Sequence, residues 1–299
     1  MSHVIGIDLG GTNMRIAVVT KDGEIMDEHN VPTETERGKD AIMTDLAEQI
    51  NVFQKRYTTI HAVGIGSPGP LDPFKGVIKN PPNLPGWIDV PLTETLSHST
   101  NLPVYLDNDA NVAALAEARK GAGAGKESVY YMTWSTGIGG GYVLNGNVVT
   151  GHAGYTGEIG NMIVQPGGRP YAHLNRGSLE GLASGTAIGQ IGKERLGIDG
   201  GAEAVFTKAK EGNFTAINII EEAIDYVAIG IANIAMTVDP DVFILGGGVM
   251  KANDVVLEPL KRKVASYLYE GQSVHIEQAT LGGKAGVIGA AQLAYANEK

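Results

Sequence analysis

The sequence contains no cysteine. That excludes disulfides, thiol catalysis and cysteine-ligated metal together. Positive charge is in the minority, with 23 Lys and Arg against 33 Asp and Glu and a net charge of −10. Such a balance argues against a general nucleic-acid binder or a protein held on an anionic membrane. A locally positive cleft for a phosphate ligand remains compatible with it. No apolar run is long enough to span a bilayer, and the N-terminus enters a strand pattern at once, with no signal-peptide pattern. The expectation is a cytoplasmic soluble protein. What is present is an ordinary globular balance, 43% hydrophobic and 19% charged, over 299 residues. That length suits one large domain or two packed lobes. Glycine is the outlier at 42 residues. Its clustering beside strands suggests close backbone approach to a ligand rather than disorder.

One stretch organises the rest, Leu102 to Asn111. Val104 to Leu106 reads as a short buried strand, and the run from Ala110 through Ala118 as a helix. Between them, Asp107 and Asp109 flank Asn108. Open α/β sheets place ligands outside the carboxyl ends of their strands. An ionised Asp109 there, stabilised by the helix macrodipole, can accept a proton from a substrate hydroxyl. The alternative is that Asp107 or Asp109 only caps the helix. One cap needs one Asp, so capping does not explain both.

The order of elements repeats. Val4–Leu9 reads as a strand, Gly10 to Asn13 as a tight turn, Met14–Val19 as a strand, and Asp22-Gly23 as a hairpin turn into Glu24–Met26. A helix follows over roughly 39–57, then a buried strand, His61–Gly66, ending in Ser67-Pro68-Gly69-Pro70. Downstream, Ser128–Thr133 is a strand, Ser135 to Gly140 a glycine turn, Gly141–Leu144 a strand and Asn145-Gly146 a second hairpin turn. Asp241–Leu245 then parallels the strand ending at Gly66. The pattern predicts two mixed sheets with helices on their faces and a cleft between two lobes. An insertion over about 150–213, rich in glycine and polar residues, is expected to build one wall of the site. A long apolar helix is expected over 215–238, closed by Asp239-Pro240, and a terminal helix over 285–296 packing on the first lobe.

The two glycine turns carry the chemistry. In Gly6-x-Asp8-x-Gly10-Gly11-Thr12-Asn13-x-Arg15, backbone N–H groups can approach phosphate oxygens, with Thr12 and Asn13 adding donors. Asp8 can hold Mg²⁺ directly or through water, and Arg15 can neutralise phosphate charge. The turn alone could be a plain hairpin, since a strand rather than a helix follows it. A second turn at Thr136-Gly137, in the equivalent place of the repeat, makes a polyphosphate ligand the better reading.

Gly6 to Thr12, Gly66 to Gly69, Asn83 to Trp87, Asn108 to Asn111, Ser135 to Gly141, Gly157 to Gly160 and Leu245 to Gly248, taken in that order, resemble the ROK sugar kinases over almost the whole chain. The resemblance implies an α/β, duplicated actin/hexokinase-like (ribonuclease H-like) fold of two lobes with a central cleft. It implies a small lobe of residues 1–108 plus 285–299 and a large lobe of 109–284. It implies Asp109 as general base and Asn83, Asn108, Glu158 and Glu180 around the sugar. It implies Gly10, Gly11, Thr12, Asn13, Thr136 and Gly137 on phosphates, Gly246 and Gly247 near adenosine, ATP and Mg²⁺ as cofactors, and a homodimer. Most members carry His after the Glu-Ile-Gly element, then a three-cysteine cluster binding structural zinc. Here Asn161 replaces that His, and Tyr171, His173 and Ser178 stand in the region of the cysteines. A structural zinc site needs four N or S ligands, so no zinc site is expected. Asn161 is expected to meet the sugar in place of the His.

The expected activity is ATP-dependent phosphorylation of a hexose, at the 6-hydroxyl of glucose. A β-glucoside, N-acetylmannosamine, mannose or fructose is the alternative acceptor, and polyphosphate the alternative donor. The family also contains sugar-responsive repressors with an added N-terminal DNA-binding segment. Here the Asp8 motif starts within a few residues of Met1, so no nucleic-acid partner is expected. A non-catalytic sugar sensor is disfavoured by the presence of Asp109.

Overall fold

The computed structural model describes residues 2–298; Met1 and Lys299 lie outside the described residues. In chain order the first half gives β1 (His3–Leu9), β2 (Asn13–Thr20), β3 (Ile25–Pro32), α1 (Lys39–Arg56), β4 (Ile60–Ser67), β5 (Leu71–Asp72), β6 (Val77–Ile78), α2 (Leu92–Thr100), β7 (Val104–Asn108) and α3 (Asp109–Lys120). The second gives β8 (Ser128–Trp134), β9 (Ile138–Leu144), β10 (Asn147–Val148), α4 (Leu179–Ala183), α5 (Gly185–Leu196), α6 (Gly201–Lys210), α7 (Phe214–Val238), β11 (Val242–Gly246), α8 (Asn253–Tyr267), β12 (Ile276–Gln278) and α9 (Ala285–Ala296).

The repeat is realised strand for strand. One sheet runs β3-β2-β1-β4-β7 and the other β10-β9-β8-β11-β12. In the first, β1 pairs antiparallel with β2 and parallel with β4, and β4 is parallel to β7. In the second, β11 is parallel to both β8 and β12. β7, the strand carrying Asp107 and Asn108, thus has its counterpart in β12, which the sequence analysis did not find. The glycine run was also drawn too long. Only Ser135, Thr136 and Gly137 form the turn, because Gly139 to Gly141 continue β9.

The chain divides into two units. The first holds the residues up to Glu127, Gly141–Thr156 and those from Thr280 on; the second holds Ser128–Gly140 and Gly157–Ala279. Helix α3 therefore groups with the first unit, whereas the boundary drawn from the sequence at 108/109 puts it in the second lobe. The physical reason lies in α9. This helix, AGVIGAAQLAYA, packs on α3 as well as on β1 and β4. Small residues let it approach closely. A Cβ on Gly6 would run into the Val287 carbonyl, one on Gly64 into the Ala290 carbonyl, and one on Gly289 into the Val112 carbonyl.

The first sheet is covered on both faces, so β1 and β4 read as near-continuous apolar runs rather than alternating ones. Ile5, Ile7, Leu9, Val63 and Ile65 join a core with Ile42, Leu46 and Phe53 of α1, Leu92 and Leu96 of α2, and Trp87. Val4, Ala17, Val19 and Ala62 face Val287, Ala291 and Ala294 of α9. In the second unit α7 buries a stripe of Ile219, Ala223, Val227 and Ile231 at helical spacing. The insertion over about 150–213, expected to build one wall of the site, contributes α4, α5 and α6.

Candidate active site

In the first unit the Gly10 to Asn13 turn is held from both sides. Gly10 N–H donates to the Asn13 carbonyl at 3.0 Å, and Thr33 N–H donates to the Thr12 carbonyl at 2.9 Å. The Thr33 hydroxyl donates to the Gly10 carbonyl at 2.7 Å. Thr33 is fully buried, and sequence reasoning missed it because nothing in its neighbourhood marks a partner twenty residues upstream. Thr12 and Asn13 are exposed, so both side chains can meet a ligand. Gly11 is seated on Asn83: a Cβ there would lie 3.2 Å from the Asn83 Cβ and run into its carbonyl.

Asp8 lies next to last in β1, beside the start of α9, where Gly286 leaves room for its carboxyl. Burial pushes that carboxyl above its ordinary value, and the Arg15 charge only partly offsets this. Arg15, expected to neutralise phosphate charge, has two protein partners. It pairs with Glu28 at 3.0 Å and donates to the Gly283 carbonyl, so its guanidinium is already engaged.

At the end of β7 three adjacent side chains have three tasks. Asn108 is the N-cap of α3, its Oδ1 accepting from Ala110 N–H at 2.9 Å. The cap is therefore neither Asp. Asp107 is buried; its Oδ1 accepts from Asn108 N–H at 2.7 Å and from the Asn111 amide at 2.8 Å. Burial pushes its carboxyl up, with these two hydrogen bonds opposing. Asp109 is exposed in the first turn of α3, its Oδ1 also accepting from Ala110 N–H at 2.7 Å. With Asn108 Oδ1 committed to the cap, its amide remains as a donor.

In the second unit Gly185 N–H donates to the Ser135 carbonyl at 2.7 Å and Thr186 N–H to the Thr136 carbonyl at 3.3 Å. Ile138 N–H donates to Glu180 Oε2 at 2.9 Å. Glu158 precedes a short 3₁₀ turn, Ile159–Asn161. Its carboxyl is pushed up, first by partial burial and then by the charge of Glu180. Asn161 Oδ1 accepts from Asn175 N–H at 2.7 Å, and the Asn175 amide reaches the Asn161 carbonyl at 3.4 Å. Asn161 thus ties down the following loop. Among the described residues no group of three or more His, Cys, Asp or Glu could hold a metal ion.

Gly246 and Gly247 sit against β8. A Cβ on Gly246 would meet the Tyr131 ring, and one on Gly247 the backbone of Trp134. Neither lines the large cavity of this unit, about 880 Å³, which takes in Ser135, Thr136 and the next glycine, Gly248. Its other walls are residues the sequence analysis did not single out, among them Gln190 and Lys193 of α5 and Phe206 and Lys210 of α6. Polar side chains and Phe206 beside a glycine turn suit a nucleotide.

Comparison with known proteins gives the family. The ROK family matches residues 4–297. A glucokinase of Halalkalibacterium halodurans is 37% identical, over 98% of this chain and 95% of its own. The crystal structure of a ROK hexokinase from Thermus thermophilus superposes with a TM-score of 0.92 at 38% identity, covering 98% of each chain. A ROK family glucokinase from Streptomyces griseus, in complex with glucose and AMPPNP, does so with a TM-score of 0.80 at 30% identity, covering 99% of this chain and all of that one. The duplicated α/β fold anticipated from the repeat is the fold these structures share with this one. The chain belongs to the ROK family.

Proposed function

We propose that the protein transfers the γ-phosphoryl group of ATP to a hexose, at the 6-hydroxyl of glucose. The observation that carries this reading is Asp109, an exposed carboxylate at the carboxyl end of β7, seated in the first turn of α3 and flanked by a capping asparagine. A sugar hydroxyl is a poor nucleophile. Asp109 takes its proton as it attacks phosphorus, while hydrogen-bond donors hold the charge of the phosphates. Those donors are the backbone and side chains of Gly10, Gly11, Thr12 and Asn13 in the first unit, and of Thr136 and Gly137 in the second. The sugar hydroxyls are met by Asn83 and the Asn108 amide in the first unit, and by Glu158, Asn161 and Glu180 in the second. The large cavity beside Thr136 takes the nucleoside, with Gly246 and Gly247 shaping the strand end behind it. Asp8 fits a magnesium ion, which uses few carboxylates, keeps several waters and neutralises phosphate charge. That glucose is the acceptor is supported by the glucokinases among the relatives.

Asp109→Asn tests the assignment, since Asn keeps the shape without the basicity. The expected kcat falls on the order of 10²–10⁴-fold, the usual worth of a general base. Glucose binding by calorimetry stays near that of the wild type. A variant that keeps most of its kcat removes Asp109 from the role.

A second reading changes only the sugar. Asn161 accepts from Asn175 N–H through its side-chain oxygen, which orients the amide so that its NH₂ can serve as a donor to the sugar. An acceptor such as N-acetylmannosamine is the alternative that this change in the site favours.

A further inference from the structure

We propose that Glu180 has a second role, as the strut that sets the Thr136-Gly137 turn, so that one carboxylate serves the sugar and positions the phosphate donors. The inference rests on the reading of that turn as a phosphate site and extends it.

The geometry divides the carboxylate into two halves. Oε2 accepts from Ile138 N–H at 2.9 Å, which fixes the limb of the turn that enters β9. The other limb, Ser135 and Thr136, is held separately by the N–H groups of Gly185 and Thr186. The carboxylate is also gripped sterically. A Cβ on Gly137 would lie 2.6 Å from Oε2, and one on Gly160 3.3 Å from the same atom. Glycine at 137 leaves room for the acid beside the phosphate turn, while Gly160, whose Cβ would first meet the Ile138 carbonyl at 2.3 Å, brings the segment bearing Glu158 close on its other side. Glu180 in turn stands on a rigid base. Ser178, fully buried, caps α4 by accepting from Gly181 N–H at 3.3 Å, and Leu179 is fully buried with Gly230 of α7 against it. Trp134, at the end of β8, donates its indole N–H to the Ala183 carbonyl of the same helix at 2.6 Å.

A carboxylate has acceptor sites to spare after one hydrogen bond. In this proposal the second oxygen, Oε1, serves a sugar hydroxyl. A sugar bound there restricts the rotamer of Glu180, and with it the position of Ile138 N–H and of the turn. A nucleotide that orders the turn restricts Glu180 in the same way. By linkage each ligand then raises the affinity for the other by the same factor. The first unit repeats the device in outline, with Gly11 of the other glycine turn packed on Asn83.

Three variants separate this role from plain folding support. Glu180→Ala removes both contacts. Glu180→Gln retains an oxygen that can accept from Ile138 N–H while presenting an amide to the sugar. Gly137→Ala pushes the carboxylate out without touching its charge. AMPPNP affinity is measured by calorimetry with and without glucose, and glucose KM in a coupled assay, on proteins whose melting temperatures are recorded alongside. The expected result for Glu180→Ala is AMPPNP binding without glucose weakened about threefold to tenfold, the net worth of one hydrogen bond. Its mutual enhancement of AMPPNP and glucose is lost. Glu180→Gln restores AMPPNP affinity but not glucose KM, a split that a merely structural role would not give. Gly137→Ala raises glucose KM. Unchanged AMPPNP affinity in Glu180→Ala overturns the proposal. Thr136→Val is the control for the reading beneath it. If it weakens AMPPNP while Glu180→Ala does not, only the strut is wrong. If it leaves AMPPNP binding untouched, the turn is not the phosphate site and the proposal falls with it.

Discussion

At the scale of single residues, the site turns on which atom of each polar side chain is already in use. Asn108 spends its oxygen on the α3 cap and keeps its amide. Asn108→Ala should therefore lose about 1 kcal/mol of stability with the cap, together with sugar affinity. Asn108→Asp keeps an acceptor for the cap but turns the remaining donor into an acceptor, so denaturation should stay near wild type while sugar KM rises. Equal losses of stability in both variants would contradict the division. Asp107 gives a pH signature. Burial holds its carboxyl above the ordinary 3.8, so between those two values the native protein binds more protons than the unfolded chain. The stability this group contributes therefore falls as pH rises through that window. Asp107→Asn keeps an oxygen for Asn108 N–H and the Asn111 amide and does not titrate. Its stability relative to wild type should rise across the window and level off above it. A difference flat with pH would show that Asp107 is not held up by burial.

At the scale of elements, α9 is a helix selected for smallness. Gly289 has an ordinary helical backbone, so alanine there should gain helix propensity of about 1 kcal/mol. The Val112 carbonyl leaves no room for the methyl, and overpacking costs typically 1–3 kcal/mol. Gly289→Ala is accordingly expected to lower the denaturation midpoint, and a raised midpoint would mean that α3 and α9 can part freely. α1 was legible because its apolar residues recur at helical spacing, and β1 because a short apolar run ends in a glycine turn. So was the duplication, since two glycine turns and two Asx-Gly turns fall in the same order. β12 was not, because it is three residues long with one buried side chain, too short to show a period. Nor were α5 and α6. Their glycines look like loop signals, yet Gly189 lies where a Cβ would come 2.8 Å from the Gly201 Cα, and Gly192 lies against Val205. These glycines bring two helices together. Asp8 and the Asp107–Asp109 run stood out in the sequence as polar residues at strand ends, whereas Asn83, Glu158 and Glu180 were marked only by the family resemblance. The atom each has free was not legible, because hydrogen-bond partners such as Thr33 and Asn175 are set by tertiary contact rather than by spacing.

At the scale of the whole molecule, the protein is expected to fold and act without zinc. The loop that follows Asn161 is closed by hydrogen bonds. Asn175 binds Asn161, Val164 N–H donates to the Gly177 carbonyl at 3.0 Å, and Arg169 pairs with Glu194 at 2.8 Å. Protein purified without a metal-affinity tag should carry substoichiometric zinc by elemental analysis. Chelation followed by resupply of magnesium should leave its activity intact. Stoichiometric zinc lost together with activity would show that another ligand set exists. The central claim is hexose phosphorylation, and it is tested most directly by an ADP-release assay across glucose, N-acetylmannosamine, mannose, fructose and a β-glucoside, with wild type and Asp109→Asn side by side. The account predicts ADP release that depends on glucose, yields glucose phosphorylated at its 6-hydroxyl, and nearly disappears in Asp109→Asn. No hexose-dependent ADP release from the wild type, or release that survives undiminished in Asp109→Asn, would contradict it.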